Sequence, residues 1–379
     1  MTESPLFVTG CQRSGTTLLE KLLGAQERIS MLSQPFPLLF VEAKRAFLRT
    51  LGFGDDRYPL GHLFHETRYE AGAFADFLGR WRTTPAELRS FFDRMESYTG
   101  QYTRFTAQQL DDAFARVPAD ADFAGVVSML DRLLALRPAV LVGSKETTCE
   151  EFVPALLQRG FRCALLIRDP RDVVASLNHG RGRQFGGDIK PTLFTVRSWR
   201  KSVAIALAME EHARFHWCRY EDLVADPAGE LSRLATTISV DPIDEARAVS
   251  EIRDPAGNAW VGNSSFTEHR GVRESSVGAH RTVLDADVTK MIEATCLPEL
   301  QLLGYETGLD TSEALRVIDR FREPYSITRQ GMERDSATPE NASIEARRLE
   351  RLTQPQDGAS IQWFLFERAE ARLRAAFRP

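Results

Sequence analysis

Residues Leu6 to Leu23 constrain this chain more than any other stretch. The apolar run Leu6 to Val8 reads as a buried strand. It breaks into a loop opened by Gly10 and closed by Gly15, and from Thr16 onward Leu18, Leu19, Leu22 and Leu23 share one helical stripe. Strand, glycine loop and helix N-terminus form an anion cradle, because the first helical N–H groups lack intrahelical acceptors and the macrodipole adds positive charge there. The loop has the G-x-x-x-x-G spacing of a nucleotide loop. Thr16, however, stands where a nucleoside triphosphatase carries lysine, and Thr17 keeps the hydroxyl that follows. The loop cation is Arg13, beside Ser14. That suits an anion without a Mg²⁺-bridged γ-phosphate, such as a phosphosulfate. The plain alternative is a glycine turn that only joins strand to helix.

The rest of the chain supplies an α/β pattern. Ala139 to Gly143, Cys163 to Ile167 and Phe215 to Tyr220 read as further strands, each followed by helical spacing. Met31 to Pro37 reads as a short extended segment that Pro35 and Pro37 keep out of helix. Between about Leu38 and Ala135 the pattern is helical, over Leu38 to Leu48, Phe74 to Trp81, Pro85 to Tyr98 and Ala107 to Val117. The expected fold is therefore α/β: a P-loop-like parallel sheet flanked by helices, with a helical insertion after the first strand that caps the sheet. Ligands belong at the carboxyl ends of the strands. Residues 1–310 read as this domain, and 311–379 as a linker and C-terminal helical extension. The apolar stripe of Ile361 to Phe377 must dock on its own core or on a second subunit, which would make a homodimer.

Residues of chemical interest follow the strands. Arg168 leaves the third of them, and Ser176 lies eight residues on, two helical turns into the next element, so both can reach one phosphate. Lys145 follows the second. Only six lysines stand among 48 basic residues, so a lysine at a strand end is not interchangeable surface charge.

The loop Arg13-Ser14-Gly15-Thr16-Thr17-Leu18 resembles the 5'-phosphosulfate loop of sulfotransferases, and its arginine form is most similar to the tyrosylprotein sulfotransferase branch and its bacterial relatives. The resemblance covers roughly residues 5–30 and 139–305. It implies 3'-phosphoadenosine 5'-phosphosulfate as co-substrate, adenosine 3',5'-bisphosphate as product, a hydroxyl acceptor and no metal. It places Arg13 and residues Ser14, Gly15, Thr16 and Thr17 on the 5'-phosphosulfate, and Lys145 on the bridging oxygen. Arg168, Ser176 and Arg273 fall on the 3'-phosphate, Tyr220 of the Y-E-x-L-like segment falls near the adenine, and Ser264 with Ser265 falls near the sulfuryl group. The resemblance fails at the general base. Gln34 stands at the glutamate position of one branch and Thr147 at the histidine position of the other, leaving Glu146, Glu42, His62 and His65 as candidates. A P-loop kinase, or a nucleotide-binding protein that has lost its base, are the alternatives.

Composition excludes other classes. A net charge of −5 argues against nucleic acid as partner, and no apolar run approaches a membrane span of roughly 18–20 residues. Five scattered cysteines without C-x-x-C spacing indicate neither a disulfide framework nor a zinc site. With the first strand starting almost at once, a signal peptide is not expected, and the expected location is the cytoplasm. The expected acceptor is a small molecule or glycan.

Overall fold

Five short strands form one parallel sheet: β1 (Leu6–Gly10), β2 (Ile29–Ser33), β3 (Leu141–Lys145), β4 (Arg162–Ile167) and β5 (Phe215–Arg219), in the order β2-β3-β1-β4-β5. The structure is a computed structural model, and it describes residues 4–53, 71–98, 102–180, 189–238, 240, 244, 252–253, 260–262, 272, 276–326, 332, 335–353 and 361–378. Every residue of β1, β2 and β3 is buried, as expected of parallel strands covered on both faces. The strand period sorts β1 between two cores. Leu6 and Val8 pack with Leu18, Leu19, Leu22 and Leu23 of α1 (Thr16–Gly24), whereas Phe7 points into the larger cluster on the opposite face.

The segment expected to be merely extended is a full strand. Ile29, Met31 and Leu32 are buried, and β2 pairs along its whole length with β3. The helical insertion therefore leaves from β2. It comprises α2 (Pro37–Thr50), α3 (Ala71–Arg80), α4 (Pro85–Met95), α5 (Ala107–Phe114) and a helix the spacing did not show, α6 (Phe123–Leu133). Asp122 starts α6 by accepting from the Gly125 N–H at 2.8 Å, and the helix carries a buried Asp131 that interrupts its apolar stripe. Phe40, Phe123 and Phe152 join insertion and sheet in edge-on and stacked contacts 4.7–5.0 Å apart. The insertion is also stitched to the sheet. Thr103 N–H donates to Ser33 O at 2.8 Å, and Ser33 N–H donates to Thr103 Oγ1 at 2.8 Å.

β3 begins and ends two residues later than expected, with Val140 left exposed, so Lys145 is its last residue. After β4, α8 (Pro170–Asn178) starts on an Asp169 cap, and α9 (Thr192–Met209) lies behind it; α7 (Val153–Gln158) precedes β4. Tyr220 opens a short helix, Tyr220–Ala225, directly after β5.

The C-terminal helices pack on this chain. Thr311–Arg320, Pro339–Thr353 and Glu367–Ala376 contribute Ala314, Ile318, Leu349, Ala369 and Leu373 to the main core cluster. The apolar face that a second subunit could have covered is thus used within the chain. A buried polar cluster ties them down: Glu345 accepts from Arg197 Nε at 2.9 Å and from Arg200 Nη1 at 2.6 Å.

Five of the six lysines are buried: Lys21, Lys44, Lys145, Lys190 and Lys201, with Lys290 exposed. Lys44 and Lys201 share Glu151 at 2.6 and 2.9 Å, a closed ion cluster between α2 and α9. All five cysteines are buried thiols. His216 and Cys218 on β5 lie beside Glu230, which is already paired with His216 at 2.8 Å and with Arg233 at 2.5 Å.

Candidate active site

β1 sits between β3 and β4, so its loop opens where three strands end. Val8 pairs with Lys145 on one side and Gly10 with Leu166 on the other. Gly15 has φ +99°, and a Cβ there would lie 2.3 Å from the Tyr220 ring, so only glycine lets the loop close against that tyrosine. Arg13 is held left-handed at φ +67°. Among the described residues no side chain caps α1, and its first turn has no acidic residue. The helix start is left to an anion.

The predicted cations converge on that start. Arg13 Nε donates to Ser176 Oγ at 2.8 Å, and Arg168 Nη1 donates to the Arg13 carbonyl at 3.2 Å. Arg168 Nη2 donates to Ser276 O at 2.5 Å, and its guanidinium carbon stands 4.7 Å from the centre of the Tyr220 ring. Burial and then the charge of Arg168 lower the Arg13 pKa to about 10, which still leaves the guanidinium charged at neutral pH. Trp199 Nε1 holds the Arg168 carbonyl at 2.7 Å. Among the described residues, the buried Arg168 Nε has no hydrogen-bond partner, a donor that a bound phosphate would satisfy.

Arg168 forms an ion pair with Asp172 at 3.7 Å without a hydrogen bond to it. Asp172 also latches the segment after the late loop. It accepts from Gly278 N at 2.7 Å, His280 N at 2.9 Å and His280 Nδ1 at 2.8 Å. Burial pushes its carboxyl up, but His280 and Arg168 outweigh that and hold it below the usual range. Nothing in one sequence signals this latch, because its partners are 106 and 108 residues apart. Ser264, Ser265 and Arg273 lie outside the described residues, as do His62 and His65.

On the other side of β1, Lys145 Nζ donates to Gln34 Oε1 at 2.9 Å, and Thr147 Oγ1 donates to the same oxygen at 2.8 Å. Burial pulls the Lys145 pKa down, against the attraction of Glu20 and Glu146. Two base candidates are committed elsewhere. Glu146 Oε1 accepts from Phe36 N at 2.6 Å, and burial keeps its pKa raised. Glu42 pairs with Arg45 at 2.9 Å and Arg94 at 3.3 Å. Tyr102 of the insertion, which the sequence did not single out, lies beside Thr103, whose backbone and hydroxyl bond Ser33 next to Gln34.

The sulfotransferase family model matches residues 5–245, most of the chain and all five strands. The chain belongs to the sulfotransferase family. This sulfotransferase is 25% identical over 336 residues to nodulation protein NoeE of Sinorhizobium fredii (strain NBRC 101917 / NGR234), a match that covers 83% of this chain and 69% of that one. Among solved structures it is similar to the sulfotransferase domain from the curacin biosynthetic pathway, at 19% identity and a TM-score of 0.44, over 80% of this chain and 98% of that one. It is also similar to retinol dehydratase in complex with androsterone and the inactive cofactor PAP, at 16% identity and a TM-score of 0.37, over 81% and 82%. As a member of the family the protein is an enzyme of sulfuryl transfer. Among the described residues no helix is long and apolar enough to cross a membrane.

Proposed function

We propose that this sulfotransferase takes its sulfuryl group from 3'-phosphoadenosine 5'-phosphosulfate and passes it to a hydroxyl of a small molecule or glycan. One observation carries the reading: Arg13 and Arg168, on loops from neighbouring strands, meet at a single uncapped helix start together with Ser176. A ligand with two anionic groups can reach both. The donor fits these residues, since among the described residues no side chain caps the helix start and the buried Arg168 Nε has no hydrogen-bond partner.

When bound, the donor supplies an electrophilic sulfur and a phosphate leaving group. The loop amides of Ser14 to Thr17 and the Arg13 guanidinium hold the 5' end, and Arg168, Ser176 and Arg273 hold the 3'-phosphate. Tyr220, wedged between Gly15 and Arg168, supports the adenine side. Lys145 places a buried positive charge at the end of β3, beside the cradle, where charge develops on the bridging oxygen. Ser264 is assigned to the sulfuryl group. No step in this scheme requires a metal ion. The buried thiols fit a reducing compartment, and we assign the enzyme to the cytoplasm.

Calorimetry with adenosine 3',5'-bisphosphate in EDTA tests the reading. Binding is expected without metal, and Arg168→Ala should weaken it about 10–100-fold, the loss of one or two charge-assisted hydrogen bonds. Failure to bind the bisphosphate, with binding of Mg-ATP in its place, would overturn it.

A further inference from the structure

The tripeptides 34–36 and 145–147 are joined by four hydrogen bonds. Gln34 N–H donates to Lys145 O at 2.8 Å, and Phe36 N–H donates to Glu146 Oε1 at 2.6 Å. Gln34 Oε1 then accepts from both Lys145 Nζ at 2.9 Å and Thr147 Oγ1 at 2.8 Å. Both lone pairs of that oxygen are therefore taken. Gln34 pays for this position with a left-handed backbone, φ +43°, which a residue bearing a Cβ adopts rarely and chiefly at functional sites. Its neighbour Ser33 is stitched to the insertion, with Ser33 N–H donating to Thr103 Oγ1 at 2.8 Å.

We propose that Gln34 is a positioning residue: a neutral clamp that fixes the ammonium of Lys145 toward the donor and ties it to Thr147. This rests on the assignment of Lys145 above. The chemistry explains why an amide serves here. A glutamate at residue 34 would form a buried ion pair with Lys145 and neutralise the charge meant for the leaving oxygen. An amide oxygen orients the same ammonium and leaves its charge uncompensated from that side. The groups that face Lys145 are then Glu20 and Lys21 of α1, Arg13 of the loop, its neighbour Glu146, and Gln34 from the β2 side. Their mixed signs leave burial as the largest influence on the lysine.

With only six lysines, the Lys145 titration can be followed in the intact enzyme by NMR of selectively labelled lysine side chains, assigned through Lys145→Arg. In wild type the Lys145 signal is expected to titrate below the ordinary lysine range. In Gln34→Glu it should move up by about one pH unit or more, a tenfold change in protonation. In Gln34→Met, which keeps the length and removes the acceptor, it should move down. Melting temperature and affinity for adenosine 3',5'-bisphosphate, expected to stay within about threefold, control for folding.

A Lys145 titration that is the same in all three proteins overturns the clamp. So does an increase in sulfuryl transfer in Gln34→Glu, which would show that residue 34 is a vacated base position. If instead the signal shifts as expected but Lys145→Ala keeps full activity, the role of Lys145 is wrong and the clamp stands as structure alone.

Discussion

At the scale of single residues, the site is built from close approaches that tolerate little change. Lys145→Ala removes a fully buried cation from the end of β3. We expect kcat to fall about 10²–10³-fold with bisphosphate affinity nearly unchanged, read from steady-state kinetics beside calorimetry. Gly15→Ala meets Tyr220 at 2.3 Å and strains φ +99°, so nucleotide affinity should drop by at least tenfold. The double variant Gly15→Ala/Tyr220→Ala should lose less than the sum of the two single losses, because both act on one contact. Additive losses would show that the glycine acts through the backbone alone. The cations were legible in the sequence, since Arg13, Lys145, Arg168 and Ser176 announce themselves by residue type at strand ends. Gln34 was legible only as a missing base. Its use as an acceptor for Lys145 depends on a positive φ and on a partner 111 residues away, and neither leaves a local pattern.

At the scale of elements, local signals worked where one face is apolar and failed where an element is short or polar. Strand β2 contains Ser30 and Ser33, both buried, so its composition hides a strand that pairing with β3 makes plain. Helix α6 is obscured in the sequence by Gly125 and Asp131, whereas α4 shows in its helical spacing and starts on a complete capping box of Thr84 and Glu87. The latch between α8 and the 278–280 segment carries its own expectation. Asp172→Ala should free that segment from Arg168 and raise the dissociation constant for adenosine 3',5'-bisphosphate about tenfold, with kcat at saturating donor changed far less. Equal affinity in calorimetry would remove the latch from the binding site.

At the scale of the molecule, the C-terminal helices complete a core that the α/β unit leaves open. Burial raises the pKa of Glu345, but Arg200 and Arg197 outweigh it and hold the carboxyl far below its ordinary value of 4.5. A depressed carboxylate stabilises the fold fully above its unfolded pKa, and that contribution is lost as the pH falls below about 4.5. Glu345→Ala should therefore cost about 3–5 kcal/mol at pH 7, by taking from the buried Arg200 the carboxylate it pairs with, while Arg197 keeps Asp335. The gap to wild type should narrow in acid, measured by urea unfolding across pH. A gap independent of pH would mean that the cost comes from packing.

The distribution of lysines has a practical consequence. Of the six lysines, amine-reactive reagents find one exposed side chain, Lys290 on the Ala286–Thr295 helix. A dye or resin coupled through amines should therefore attach at very few points, and the lysine of the site should escape derivatisation while the fold holds.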